Sequence, residues 1–285
     1  MIPRRDYGRT GERLSIIGLG GMTIAGTTPT HAAEIVSEAL DRGVNYFDVA
    51  PTYGNAEELL GPAIQEHRDE IFLACKTTQR KKKDAARELR ASLKRLHADS
   101  FDLYQFHGIN STKEVETIFG PEGAMEAFLD ARREGLIKHI GFSAHSVSAA
   151  LDCLRRFDFD SVLFPINFVL FEVESFGPQV IRRALEKGAA CLALKAMAES
   201  RWPPGADRQA FPKCWYKPTS DPRTADLALR FTLSQPVTAA IPPGEEALFR
   251  MAMDIASRFS PITDAELAKL RQIAITREPM FRLDG

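Results

Sequence analysis

The segment Val44-Asn-Tyr-Phe-Asp48-Val-Ala-Pro-Thr-Tyr53-Gly54 decides the fold, because a short apolar run there passes directly into a polar loop. The run Val44–Val49 has the length and apolar character of a strand buried on both faces, which is typical of a parallel sheet. An amphipathic helical pattern over 32–40 precedes it, and Gly43 follows as a C-cap residue. A helix followed by a buried strand predicts one β/α unit.

The same unit recurs along almost the whole chain. The strand candidates are Ser15–Leu19, Val44–Val49, Ile71–Lys76, Phe101–Phe106, His139–Ser143, Ser161–Ile166, Ala189–Lys195 and Val237–Ile241. Most of their starting points are separated by about 30 residues, the length of one βαβ unit. The longest interval leaves room for a loop over Glu199–Pro222, and long irregular loops in compact domains are usually functional.

Eight consecutive units predict a closed (β/α)₈ barrel, formed by residues 1–285 as a single α/β domain. An open doubly wound sheet is the alternative at this level, since periodicity alone does not separate the two. The segment Gly18-Leu-Gly20-Gly21-Met-Thr does not match Gly-x-Gly-x-x-Gly, which disfavours the open dinucleotide-binding fold. A capping box in Thr263-Asp-Ala-Glu266 predicts one extra C-terminal helix.

Composition excludes several classes of function. Lysine and arginine number 37 against 38 acidic residues, a net charge of −1, which argues against a nucleic-acid or membrane-surface partner. No apolar run approaches the ~20 residues of a membrane span, and no signal sequence is visible, so we expect a cytoplasmic protein. The four cysteines include no Cys-x-x-Cys pair, so neither a zinc ribbon nor an iron–sulfur cluster is expected, and disulfides are not expected in the cytoplasm.

Four polar residues follow consecutive predicted strands, where barrel enzymes place their chemistry. Asp48 and Tyr53 follow the second strand, Lys76 ends the third and His107 follows the fourth. Each has a structural interpretation taken alone: the carboxylate caps a turn, the lysine reaches water, or the histidine packs. Because four such residues occupy successive positions on one rim, a common functional site is the better explanation.

These residue types suit the reduction of a carbonyl group, which needs a hydride on carbon and a proton on oxygen. Tyr53 holds a proton at neutral pH, and a neighbouring ammonium such as Lys76 lowers its pKa. Asp48 would keep Lys76 charged and in place. His107 would hydrogen-bond the substrate oxygen, where negative charge develops.

With these residues identified, the chain resembles the aldo-keto reductase family along nearly its whole length. The matching segments are Tyr7-Gly-Arg-Thr-Gly11, Ile16-Ile-Gly-Leu-Gly-Gly21-Met22, Asp48 to Tyr53, Lys76, Phe106-His107-Gly108 and Ile140-Gly-Phe-Ser143. The resemblance implies an NADPH-dependent oxidoreductase, with NADH as the alternative cofactor, that reduces a small aldehyde or ketone. It also implies the catalytic tetrad Asp48, Tyr53, Lys76 and His107, no metal, and a monomer or weak homo-oligomer.

The resemblance implies a set of cofactor contacts as well. Gly21, Met22 and Asp48 would lie beside the ribose and nicotinamide, Ser143 and Asn167 would contact the carboxamide, and Lys195 would line the cofactor channel. The residues expected to cradle the adenosine end are Ile241, Pro243, Gly244 and Glu246.

The sequence departs from the family pattern at three of these places. Ala144 follows Ser143 where the family usually has asparagine, and Asn167 stands where a glutamine is usual. The segment Pro243-Gly244-Glu245-Glu246 lacks the basic residues and serine of many NADPH-preferring members. Since carboxylates repel a 2′-phosphate and accept a hydrogen bond from a 2′-hydroxyl, the choice between NADPH and NADH stays open, with family habit favouring NADPH.

Two further segments have two interpretations each. Arg80-Lys-Lys-Lys83 would attract an acidic ligand or simply be a solvated helix entry, and the second is more frequent. The aromatic residues of the long loop, Trp202, Phe211, Trp215 and Tyr216, would wall the substrate site or form a small core under the loop.

Two other functions remain as alternatives to the reductase. A nicotinamide-binding sensor or accessory subunit on the same fold would show little turnover, although it would not need all four tetrad groups. An unrelated barrel enzyme would use Lys76 to form an imine, because fold alone does not define chemistry.

Overall fold

The computed structural model describes residues 1–283 and contains a barrel of eight parallel strands. The strands in chain order are β1 Arg4–Asp6, β2 Arg13–Ser15, β3 Leu19–Gly20, β4 Tyr46–Asp48, β5 Phe72–Thr77, β6 Phe101–Ile109, β7 Ile137–Ala144, β8 Ser161–Pro165, β9 Ala190–Leu194, β10 Ala198–Arg201, β11 Tyr216–Pro218 and β12 Ala239–Ile241. Strands β3 to β9 pair consecutively in parallel, and β12 pairs with β9.

The barrel closes between its first and last strands. Ile17 forms a parallel bridge with Ala240, and the Gly18 amide donates to the Ala240 carbonyl at 3.0 Å. The predicted (β/α)₈ barrel is therefore confirmed, and an open doubly wound sheet does not fit this closure. The boundary of the first strand was predicted incorrectly: Ser15 ends the hairpin strand β2, and the barrel strand β3 begins at Leu19.

Helices cover the outside of the barrel. They are α1 Pro29–Asp41, α2 Ala56–Ile64, α3 Lys82–Arg95, α4 Thr112–Phe119, α5 Ala124–Arg133, α6 Val147–Arg156, α7 Phe168–Glu174, α8 Pro178–Glu186, α9 Pro222–Ser234, α10 Glu246–Ser257 and α11 Asp264–Ala274. The predicted capping box of the tail helix is confirmed, since the Thr263 and Glu266 side chains each accept from the other's backbone amide. No helix within residues 1–283 combines the length and apolar character needed to cross a membrane.

Two antiparallel hairpins lie at opposite ends of the barrel. The hairpin β1–β2 covers the amino-terminal end, where the Tyr7 hydroxyl donates to Ser161 Oγ at 2.7 Å. The hairpin β10–β11 lies within the segment that was predicted as one long irregular loop, so that part of the prediction was wrong. Its strands are short and fourteen residues lie between them, and a local sequence pattern does not identify such a pairing.

Candidate active site

A buried ion pair stands at the carboxyl ends of β4 and β5. Lys76 and Asp48 are 1% and 2% exposed, and the Lys76 ammonium donates to Asp48 Oδ1. Burial by itself lowers the pKa of Lys76, but the Asp48 carboxylate, together with Tyr53 and Cys75, opposes it and the net pKa is raised. Lys76 is therefore a charged group held in a site that excludes water.

Two neighbouring side chains fix the carboxylate of this pair. The Tyr46 hydroxyl and the Gln105 amide both donate to Asp48 Oδ2, at 3.0 and 3.1 Å. Gln105 was not singled out in the sequence, although a polar residue inside an apolar strand and two positions before His107 was a usable signal, because alternate residues of a strand share a face. These donors leave Asp48 Oδ1 for Lys76.

Tyr53 is placed by a turn after β4, in which its amide donates to the Ala50 carbonyl at 3.0 Å. The Lys76 ammonium lies 5.2 Å from the centroid of the Tyr53 ring. Burial raises the pKa of the Tyr53 phenol, and the Lys76 charge opposes this rise without cancelling it. The phenol thus keeps its proton at neutral pH beside a cation that stabilises its conjugate base.

His107 also contacts the Tyr53 ring. Their ring centroids are 5.7 Å apart with the planes at 90°, and Arg80 donates to the His107 carbonyl at 2.7 Å. Burial, followed by the Lys76 charge, lowers the pKa of His107 to about 3. His107 is therefore a neutral imidazole, and its buried Nδ1 has no hydrogen-bond partner among residues 1–283.

Arg80 belongs to the basic segment that had two interpretations. It also forms an ion pair with Glu114 at 2.9 Å, and Lys82 pairs with Glu126 at 3.0 Å. The structural interpretation of this segment is the better one, with the addition that Arg80 holds the backbone of His107.

The four rim residues share one cavity of about 340 Å³ at the carboxyl ends of the strands. The cavity extends from the tetrad to the end of β12, where Ile241, Pro242 and Gly244 line it. Its wall also includes His145, Lys195 and Trp215. The site therefore has a reactive centre, an arm toward the end of β12 and a partly aromatic region formed by these three residues.

The residues expected to contact a cofactor divide into two groups. Those on the cavity wall are Met22, Asp48, Ser143, Lys195, Ile241 and Gly244, whereas Gly21, Asn167, Pro243 and Glu246 are not part of the wall. Asn167 caps α7, because its Oδ1 accepts from the Leu170 amide at 2.9 Å, and its buried Nδ2 has no partner within the described chain. Glu246 forms ion pairs with His31 and Arg250 at 2.7 and 2.6 Å.

The aromatic residues of the long loop also divide. Trp215 and Tyr216 line the cavity. Trp202 donates its indole N–H to the Cys214 carbonyl at 2.8 Å, and Phe211 packs beside Cys214 and Met280. One pair of aromatic rings, Trp215 and Tyr216, therefore faces the cavity, whereas the other pair packs under the loop.

Comparison with known proteins places this barrel in a defined class. The family model of the aldo/keto reductase family matches residues 16–210, more than half of the chain. The fold also matches the holo form of the aldo-keto reductase AKR11C1 from Bacillus halodurans, with a TM-score of 0.74, 23% identity and 96% coverage of both chains. The chain belongs to the aldo/keto reductase family.

Relatives in Bacillus subtilis (strain 168) resemble parts of this chain. The uncharacterized oxidoreductase YqkF is 31% identical over 183 residues, 59% of this chain and 57% of that protein. The aldo-keto reductase YhdN is 35% identical over 157 residues, 48% of this chain and 46% of that protein. The chain matches about half the length of these two relatives.

Proposed function

We propose that this protein reduces an aldehyde or ketone to the alcohol by hydride transfer from NADPH or NADH, with Tyr53 as the proton donor. The observation that supports this most directly is the arrangement around Tyr53. A charged Lys76 held by Asp48 lies beside its ring, and a neutral His107 also contacts it.

The cavity wall fits a nicotinamide, which would supply the hydride when bound. Leu194 and Ile241 offer apolar surfaces for a flat ring. Ser143 Oγ accepts the Gly108 amide proton at 2.7 Å, so its own hydroxyl proton is available for an amide ligand. Gly20 and Gly244 leave the arm toward β12 without side-chain obstruction.

The protein's own contribution is to orient the carbonyl and to give it a proton. Tyr53 donates its phenolic proton to the carbonyl oxygen as the C–H bond forms, so no free alkoxide accumulates. Lys76 stabilises the resulting phenolate, and Asp48 keeps Lys76 charged through this change. The neutral His107 directs an N–H toward the same oxygen and stabilises its developing charge.

Replacing Tyr53 tests the proposal directly. Tyr53→Phe removes the proton donor but keeps the ring, so turnover of a good aldehyde should fall by two or more orders of magnitude, roughly the contribution of general acid catalysis. Cofactor affinity, followed by fluorescence titration, should be unchanged. Wild-type turnover in this variant would refute the assignment of Tyr53.

The two alternative functions have weaker support. A sensor or accessory subunit does not require a proton donor, a paired cation and a neutral imidazole together. An imine-forming enzyme requires a neutral amine, whereas the pKa of Lys76 is raised by its carboxylate. Borohydride treatment in the presence of a carbonyl compound should leave no adduct on Lys76. The expected cytoplasmic location, the single domain and the monomer or weak homo-oligomer stay predictions.

A further inference from the structure

A second buried lysine lies on the cavity wall, away from the Asp48–Lys76 pair. Lys195 follows β9 and is 8% exposed. Its backbone has a φ of 61°, a left-handed conformation that a lysine rarely adopts. Lys195 is nevertheless part of the cavity wall, and a strained backbone held at such a place indicates a ligand-binding role.

Three rings surround the Lys195 ammonium, and no carboxylate of residues 1–283 is paired with it. The ammonium lies 3.4 Å from His145 Nε2, 5.2 Å from the Trp215 ring centroid and 5.8 Å from the Phe281 ring centroid. His145 and Phe281 stack at 5.2 Å. Because Lys195 can only donate, His145 Nε2 accepts from it, and the cation–π contacts supply only part of the lost hydration.

Comparison with Lys76 shows that Lys195 lacks an anionic partner within the described chain. Both lysines are buried beside the same cavity, but Lys76 has Asp48 and Lys195 has no anionic partner in the described chain. A buried, unneutralised ammonium is costly, so such a group is expected where a ligand supplies the negative charge.

We propose that Lys195, with His145, Trp215 and Phe281, forms a subsite for a carboxylate on the carbonyl substrate. This inference rests on the proposed reductase function and names its substrate class: aldehydes or ketones bearing an acid group on an apolar or aromatic spacer. The Lys195 ammonium binds the carboxylate, and the face of Trp215 packs against the spacer.

His145 lies next to the tetrad. A Cβ atom on Gly108 would lie 3.9 Å from the His145 ring, and Gly108 directly follows His107. The subsite thus adjoins the imidazole that faces the carbonyl oxygen.

A matched substrate pair tests the subsite. 4-Carboxybenzaldehyde and its methyl ester share one reactive aldehyde and similar electronic effects, but only the acid has a carboxylate. We expect the wild-type kcat/KM to favour the acid about tenfold or more, the range of a charge-assisted hydrogen bond. Lys195→Met should abolish this preference, so that the acid-to-ester ratio of kcat/KM falls to about one. Lys195→Arg should restore part of it.

The control is Lys217→Met, which removes a nearby lysine that is already paired with Glu199 at 3.1 Å. It should keep the wild-type preference. An acid-to-ester ratio that is the same in wild type and Lys195→Met would overturn the subsite.

Cofactor titrations test whether the anion bound by Lys195 is a cofactor phosphate instead of a substrate carboxylate. If Lys195 instead binds a cofactor phosphate, Lys195→Met will weaken NADPH and NADH binding without changing the acid-to-ester ratio, and the substrate inference is then wrong. If the wild type reduces neither 4-carboxybenzaldehyde nor its methyl ester, calorimetry of 4-carboxybenzaldehyde binding tests the subsite independently of the reductase proposal. Binding that is lost in Lys195→Met supports the subsite although the reductase proposal fails, and equal binding rejects both.

Discussion

Two lysines in one cavity have pKa values shifted in opposite directions, and the difference is set by their neighbours. Burial lowers the pKa of Lys76, but its acidic neighbours, Asp48 first among them, together raise it. Burial is unopposed at Lys195 and lowers its pKa to about 8. The same residue type therefore acts as a permanent charge at the reacting centre and as a cation that titrates near neutrality at the wall.

Removing only one partner of the Asp48–Lys76 pair should destabilise the fold. Asp48→Asn leaves Lys76 buried without an anion, so we expect the free energy of unfolding to fall by about 3–5 kcal/mol in urea denaturation. The double variant Asp48→Asn/Lys76→Met has no buried charge at this place and should recover much of this loss, while remaining inactive. A double variant less stable than Asp48→Asn would contradict this account.

The titration of Lys195 predicts a pH dependence that only acidic substrates show. Its ammonium is charged below about pH 8 and loses its proton above it. The kcat/KM for 4-carboxybenzaldehyde should therefore fall as pH rises through 8, while that of the methyl ester stays level. Lys195→Arg should remove the step, because arginine stays charged.

The other titratable groups of the wall do not produce this step. His107 and His145 have pKa values of about 3 and are neutral throughout. The pKa values of Tyr53 and Lys76 are raised. Lys213, whose pKa burial lowers, donates to the Thr23 carbonyl at 2.9 Å, and a step that persists in Lys195→Arg would point to it instead.

At the scale of elements, the first turn of α10 bears two carboxylates at the β12 end of the cavity. Glu246 pairs with His31 of α1 and with Arg250, which also contacts Glu38 at 2.8 Å. Glu245 Oε1 accepts from the Lys213 amide at 2.6 Å. Arg250 is thus neutralised by carboxylates of two helices. This weakens the expectation of NADPH, which comes from the usual cofactor preference of the family.

Neutralising this turn should change the cofactor preference. In Glu246→Gln, Arg250 loses one carboxylate and the turn loses one negative charge, so the affinity for NADPH relative to NADH should rise several-fold at low salt and less at high salt. Fluorescence titration with both cofactors measures the ratio. Glu34→Gln, which removes the other partner of His31 at 3.1 Å, is the control and should leave the ratio unchanged.

At the scale of the whole molecule, barrel closure and the active site both depend on the close packing around Gly18. A Cβ atom on Gly18 would lie 2.5 Å from the Tyr46 ring and 2.8 Å from the Ile241 side chain. Tyr46 holds Asp48, and Ile241 lines the cavity. The junction (seam) between the first and last barrel strands therefore also sets the positions of Asp48 and Ile241 in the site.

Gly18→Ala tests this link between closure and site. The added methyl group overpacks the barrel interior, so the free energy of unfolding should fall by about 1–3 kcal/mol and Tm with it. Turnover should fall as well, because Tyr46 must move. An unchanged Tm together with wild-type turnover would show that the seam relaxes without affecting the site.

Much of the fold was predictable because it follows from local rules. Apolar runs such as Phe72–Thr77 must be buried on both faces, and amphipathic helices between them predict parallel β/α units. The hairpin β10–β11 was not predictable, since its pairing joins residues far apart in the sequence and its strands are short. The start of the first barrel strand was misplaced because the apolar run over Ser15–Leu19 begins on the last residue of the hairpin strand β2 and reaches the barrel strand β3 only at Leu19.

The sequence alone determined that four groups capable of proton transfer follow successive strands, and the barrel rule then placed them on one rim. Only the tertiary structure decided how each is held: Gln105 and Tyr46 on Asp48, Arg80 behind His107, and no anion beside Lys195. A residue's position on a strand follows from periodicity, which is local. Its charge state and partners depend on groups brought together from distant parts of the chain, and these have no local signature.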